Sequence, residues 1–257
     1  MNKRIIPCLL LSGQGIVKTI KFKNLTYIGD PINTVKIFND KFVDELMIFD
    51  IDAQNKEKSP NFDFIEEIVS EAFMPVCYGG GIKNISHLKI LFNCGVEKVS
   101  INSEAIYNPS VITEAASIFG SQSIVATIDI KKQILSKKYT VTGQRGTKNL
   151  HIDPLDYAIE LERLGAGELV VNNVSRDGTM KGLDLEIISK ISESVNIPTV
   201  AVGGTRDLQD IKRAFSNTSV SAISAGSIFV YHGPKKAVLI NYPHYEDLEL
   251  IKNNRYI

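Results

Sequence analysis

The sequence has no tryptophan, four methionines and three cysteines among its 257 residues. Cys8, Cys77 and Cys94 are an odd number at wide spacing, which argues against a disulfide framework or a zinc site and leaves free thiols in or near a core. An excess of charge is also missing: Lys+Arg and Asp+Glu both number 29. A net charge of zero removes the broad electrostatic case for nucleic acid or an anionic membrane as partner. No apolar run approaches the roughly 18 residues of a membrane span. Met1-Asn2-Lys3-Arg4 is not followed by a signal-type apolar stretch distinct from the first strand, so the cytosol is the expected compartment. His87, His151, His232 and His244 show no ligand spacing, and neither a metal nor a cofactor is expected. Linkers and low-complexity segments are absent too, which points to one domain over residues 1–257.

What is present is a recurring strand and helix unit. Apolar, β-branched runs fall at 4–11, 45–51, 75–78, 98–101, 123–130, 168–174, 198–202 and 222–225. Nearly continuous apolar strands are what a parallel sheet covered on both faces requires. Amphipathic stretches lie between them, among them 62–73, 153–165 and 186–195, with Pro31, Pro109 and Pro154 near helix starts, where a missing N–H costs nothing. Eight strands alternating with helices predict an α/β fold, a single (β/α)₈ TIM barrel.

The two halves also resemble each other, at about 1–120 and 121–235. Gly79-Gly80 recurs as Gly203-Gly204 and Asn102-Ser103 as Gly226-Ser227, each 124 positions on. Overlaying the first strand on the fifth sets Leu10 against Asp129. Residues 131–150 form a long connection. Within it 139–142 reads as a hairpin strand, and 143–148 as a mobile basic tip. The segment 236–257 looks different again, extended at Val238-Leu239-Ile240 and helical only from near Tyr245.

Function in such barrels sits on the loops after the strands' C-terminal ends. Two anion cradles are expected there. Gly79-Gly80-Gly81 with Asn102 and Ser103 makes one, and Asp177, Gly178, Gly203, Gly204, Gly226 and Ser227 make the other. Glycine lets backbone approach a phosphate closely, and helix starts offer unused N–H groups. Facing cradles suit a small molecule with phosphate at both ends, or a diphosphate plus another polar group.

These residues, with the stretches 3–9, 44–46, 78–82, 98–102, 165–168 and Ser175-Arg176-Asp177-Gly178-Thr179, resemble the cyclase subunit family of imidazole glycerol phosphate synthase, of the histidine pathway. The resemblance runs from the start of the chain to about Phe229. It implies a TIM barrel, a phosphorylated substrate and a separate glutaminase docked at the barrel's N-terminal face to supply ammonia. It further implies that Arg4, Glu45, Lys98 and Glu168 ring the barrel floor as an ammonia gate. It makes Lys18 a substrate contact on the first loop.

One position departs. The family's acid pair is an aspartate on strand one and an aspartate on strand five; here Asp129 is kept and Leu10 stands where the other would be. Leucine neither donates nor accepts a proton, so the sequence predicts a retained scaffold whose chemistry has been redirected, with Asp129 as the remaining catalytic group. Family copies with altered acids resemble subunits that use ammonia to turn an acetamido group of a nucleotide-linked bacterial surface sugar into an acetamidino group. Two alternatives stay open: an ordinary histidine-pathway cyclase in which Asp50 or Asp52 substitutes for the missing acid, and a non-catalytic module that docks a glutaminase and senses a phosphorylated ligand.

Overall fold

Period-two alternation gives each of the apolar runs two faces to bury. In the computed structural model, which describes residues 2–53, 59–133 and 136–252, they form parallel strands β1 (Arg4–Ser12), β2 (Leu46–Asp50), β3 (Val76–Gly79), β4 (Lys98–Ile101), β5 (Ile124–Lys132), β6 (Glu168–Asn173), β7 (Thr199–Val202) and β8 (Ala222–Ala225). Each pairs in parallel with the next, and β8 pairs with β1, so the sheet closes into a barrel. One side-chain column of each strand points inward. Ile6, Met47, Cys77, Val125, Val170 and Val200 fill the interior. Their neighbours, such as Ile5, Leu46, Val76 and Leu169, pack under the helices.

The helix layer is α1 (Pro31–Asn39), α2 (Phe62–Ser70), α3 (Ile85–Asn93), α4 (Ser110–Phe119), α5 (Pro154–Arg163), α6 (Leu185–Ser194), α7 (Leu208–Asn217) and α8 (Tyr245–Lys252). Local chemistry sets where they begin. Asp30 and Asp153 cap α1 and α5 by accepting from backbone N–H groups, with Pro31 and Pro154 at the first helical position. Helix α2 stops at Ser70 rather than continuing to 73. The Asn39 side chain accepts from Phe73 N and donates to Glu71 O, capturing the chain as it leaves the helix.

Three connections differ from expectation or refine it. The first loop is a β-hairpin, Gly15–Ile20 against Lys23–Gly29, continuing from β1. Strand Tyr139–Gly143 does pair with the extended end of β5, though residues 134–135 of that connection lie outside the described residues. The tip at 143–148 is not a free basic loop. Gly146 is buried against Val174, Lys131 Nζ donates to Gly146 O at 3.5 Å, and Thr147 N donates to Gln144 O at 3.2 Å. Val174 and Lys131 hold the turn against the barrel, and the Thr147–Gln144 bond closes the turn itself. The C-terminal segment is extended at first. Ala237–Val238 pairs with Tyr231–His232, and the chain then returns to β1, where Tyr242 OH donates to Ile5 O at 2.7 Å. Lys252 Nζ, at 2.7 Å from Asp44 Oδ2, fastens α8; residues 253–257 of this segment are outside the described residues.

Candidate functional site

Following one inward column along β1, from Arg4 through Ile6 and Cys8 to Leu10, leads from floor to mouth. At the floor Arg4 bonds to both Glu45 and Glu168. Lys98 Nζ completes the ring at 3.0 Å from Glu45 Oε2 and 2.8 Å from Glu168 Oε2. The four residues expected as a gate therefore form one ring of alternating charges, each cation bonded to both carboxylates. The carboxylates are almost fully buried, and each is matched by two cations. Burial alone would lower the Lys98 ammonium, but Glu168 and Glu45 outweigh it and hold it above its usual value. The Arg4 guanidinium is held up in the same way. Cys77, just above, is pushed well up by burial and by the nearby carboxylates, so it is a neutral thiol.

At the mouth, Asp129 ends the inward column of β5. Asn172 Nδ2 donates to its Oδ1 at 2.8 Å, and Asn102 Nδ2 to its Oδ2 at 3.0 Å. Burial pushes its carboxyl from 3.8 up to about 6, against those two donors. A carboxyl poised there is present in both forms near neutral pH, which suits proton transfer in either direction. No second acid stands in the strand-one position. Leu10, 8% exposed, packs with Cys8, Val17, Ile51 and Phe49 into an apolar wall. Asp52 is occupied elsewhere, accepting from Ser12 Oγ at 2.9 Å and Gly13 N at 2.8 Å, so it braces the first turn. Asp50 Oδ1 accepts from Asp52 N at 2.8 Å.

The glycines of the two halves take matching shapes. Gly80 and Gly204 both have positive φ, +131° and +100°. Asn102 and Gly226 share a backbone conformation, φ −120° and −112°, each leading into a short helix without a side-chain cap. Those helices, Ser103–Tyr107 and Ser227–Val230, therefore present open N–H groups at the mouth. In the first cradle one N–H of the Asn102 amide goes to Asp129, and its second N–H stands beside Gly81, Ser103 and backbone as a donor. The second cradle is a cleft lined by Asp177, Gly178, Gly203, Gly204, Gly226, Ser227 and Lys18. Lys18 reaches it from the hairpin, and its Nζ donates to Cys8 O at 3.0 Å. Thr19 Oγ1 and Thr205 Oγ1 line the same cleft, buried and without a partner among the described residues. Buried hydroxyls without partners fit a cleft that receives an oxygen-rich ligand.

The sequence profile described as histidine biosynthesis protein matches residues 4–235. The chain belongs to this family. A relative from Pseudomonas aeruginosa, provisionally named imidazole glycerol phosphate synthase subunit hisF2, is 46% identical over 97% of this chain and 99% of its own length. One from Leptospira interrogans, provisionally named subunit HisF of the same synthase, is 46% identical over 98% of this chain and 99% of its own. A relative from Alkaliphilus metalliredigens, named imidazole glycerol phosphate synthase subunit HisF without qualification, is 38% identical over 90% of this chain and 92% of its own. Within the histidine biosynthesis family, then, this is a cyclase-subunit-like chain. No helix among the described residues is long and apolar enough to cross a membrane.

Sequence reasoning missed Asn172, which is the bridge between acid and cradle. Its Nδ2 holds Asp129 while its Oδ1 lies where a side chain on Gly203 would collide with it, 2.9 Å from that added carbon. The register of β6 on β5 pairs Asn172 with Asp129, a long-range fact with no local signal. Thr205, directly after Gly203-Gly204, was the more legible omission.

Proposed function

We propose that this chain is the ammonia-accepting subunit of a glutaminase-coupled synthase, redirected from ring closure to amidination of an acetamido group on a nucleotide-linked bacterial surface sugar. The observation that carries the reading is the pairing of an intact floor with an altered mouth. The ring Arg4–Glu45–Lys98–Glu168 lies under an apolar interior that favours neutral ammonia over ammonium. A glutaminase docked at the N-terminal face would deliver ammonia to that ring. At the other end the apolar wall of Leu10, Val17 and Phe49 stands at the position where the family pattern has its strand-one carboxylate.

Amidination fits one carboxyl and an apolar wall. Ammonia adds to the amide carbon, the carbonyl oxygen leaves as water, and the nitrogen becomes the amidine. Asp129 takes a proton from the added nitrogen and returns it to the oxygen, twice in turn, so that the oxygen departs with both protons as water. The methyl group packs on Leu10. Phosphate is gripped by the second cradle, with Lys18 as counter-charge. The histidine-pathway cyclase is the second reading, supported by the 38% identity to a relative named HisF without qualification.

One assay separates them. The native chain, Leu10→Asp and Asp129→Asn are each given the histidine-pathway substrate with excess ammonium salt, and in parallel an acetamido nucleotide sugar. The expected result is no imidazole glycerol phosphate from the native chain, a detectable amount from Leu10→Asp, and exchange of oxygen for NH on the sugar by mass spectrometry. Native turnover of the histidine substrate that disappears in Asp129→Asn would sink the amidination reading.

A further inference from the structure

The second cradle does not end at its phosphate donors. Its two loops run on into a separate groove of about 440 Å³, within the range of small-molecule sites. Gly203, Gly204 and Thr205 line the cradle, and Arg206, Asp207 and Leu208 line the groove. Likewise Gly226 and Ser227 belong to the cradle, and Ile228, Phe229 and Tyr231 to the groove. Met180 borders both. The far wall is Asn241, Tyr242, Pro243, His244 and Asp247, from the segment beyond residue 235 that the family profile does not reach. A cradle built from family-matched residues is thus extended by a wall outside that match.

We infer that this groove is the subsite for the nucleoside end of the ligand whose phosphate the second cradle holds. The inference rests on the phosphate reading of the cradle and goes beyond it by assigning where the attached group lies. The charges select the class of occupant. Arg206 is the groove's one Lys or Arg, and its Nε is already bonded to Asp207 Oδ2 at 2.9 Å. Asp207 Oδ1 caps α7 by accepting from Asp210 N at 2.8 Å, so the carboxylate the groove presents is Asp247. A second phosphate would be repelled there, whereas sugar hydroxyls can donate to that carboxylate. Ile228, Tyr231, Pro243 and Met180 supply apolar and aromatic surface for a planar base. Asn241, exposed at the rim, carries a side-chain amide able to read a base edge by both donor and acceptor.

The test uses the full chain and simple probes: pyrophosphate, UDP, CDP and GDP, titrated by calorimetry into the native protein and Asn241→Trp. Asn241 is exposed, and the bulk of tryptophan fills the groove without entering the core; thermal melts of both proteins confirm the fold. At least one nucleoside diphosphate should bind tenfold or more tighter than pyrophosphate. That advantage should vanish in Asn241→Trp while pyrophosphate affinity stays the same. Equal affinity for all probes in the native chain overturns the inference, as does an advantage that survives the block. If pyrophosphate itself does not bind, the cradle fails and the groove with it. If the nucleotides bind as expected but no acetamido sugar is converted, the subsite stands and only the amidination reading falls.

Discussion

The floor and the mouth of this barrel have been treated differently by the same sequence. At the floor four charges satisfy one another, two buried carboxylates each bonded by both Arg4 and Lys98. At the mouth the Asp129 carboxyl is bonded by no cation; burial raises it, and the nearby Asp177 carboxylate pushes it further up. Asp129 has two amide donors, and the strand-one position holds a leucine. A ring of matched charges is sensitive to loss of any member, because the remainder becomes an uncompensated buried charge. A carboxyl held near neutrality is poised to move protons. On the proposed reading, the contrast separates an apparatus for admitting a reactant from one for transforming it, with only the second departing from the family pattern.

The largest effect should come from the mouth. Asp129→Asn removes the carboxyl at the mouth end of β5 and should lower ammonium-driven turnover by about 10²–10⁴-fold. The native pH profile should fall as the medium drops below about 6, where the base is protonated. Stability should move the opposite way. The folded value is raised from 3.8 to about 6, so below pH 4 the carboxyl is neutral in both states and costs nothing. Between pH 4 and 6 the unfolded chain ionises first, and the fold loses about 3 kcal/mol. Urea melts across that window should show the loss in the native chain and not in Asp129→Asn. A flat native profile would remove the distinction between a poised mouth and a neutralised floor.

The floor gives the next largest effect. Glu168→Gln leaves Arg4 and Lys98 sharing one carboxylate. Both cations are 21% exposed, which moderates the cost to about 3 kcal/mol, read from a urea midpoint. Turnover driven by added ammonium should change little, while glutamine-driven turnover with a glutaminase present should fall severalfold. Equal loss in both assays would make the ring a structural brace alone.

Legibility followed the same division between local and long-range information. Arg4, Glu45, Lys98 and Glu168 were readable because each opens or directly precedes a strand inside a short recognisable stretch. Leu10 was readable because it interrupts one. The first-loop hairpin was not. Its turn is Lys21-Phe22, and both residues have positive φ, 54° and 58°. That pair of values normally calls for Asn-Gly, so no sequence signal marks a two-residue turn. At Gln144-Arg145, inside the stretch the sequence did mark as a tip, φ is again positive, 51° and 56°. Asn172 was invisible because its partner is 43 residues away and set only by strand register. Side-chain alternation carried the fold, and the glycine pairs marked two matching turns at the mouth; what neither encodes is which polar groups meet across it.

The smallest expected effect tests how that mouth is covered. Gly178 has φ +68°, and a carbon added to it would stand 1.9 Å from Thr19 O of the hairpin. Lys21 N also donates to Asp177 O at 3.0 Å, so the hairpin rests directly on the loop after β6. Lys18 reaches the cradle only because the hairpin lies that close. Gly178→Ala therefore imposes two costs, strain at a positive φ and displacement of Thr19. Gly13, at the hairpin's other end, separates them: its φ is +59°, with nothing within 4 Å of an added carbon. Both alanines should lose about 1–3 kcal/mol of stability through backbone strain. Gly178→Ala alone should also weaken binding of the phosphorylated ligand severalfold, because Lys18 is lifted from the cradle. If the two variants bind pyrophosphate equally well, hairpin docking contributes nothing to the mouth. The contrast with the floor then narrows to Asp129 and Leu10.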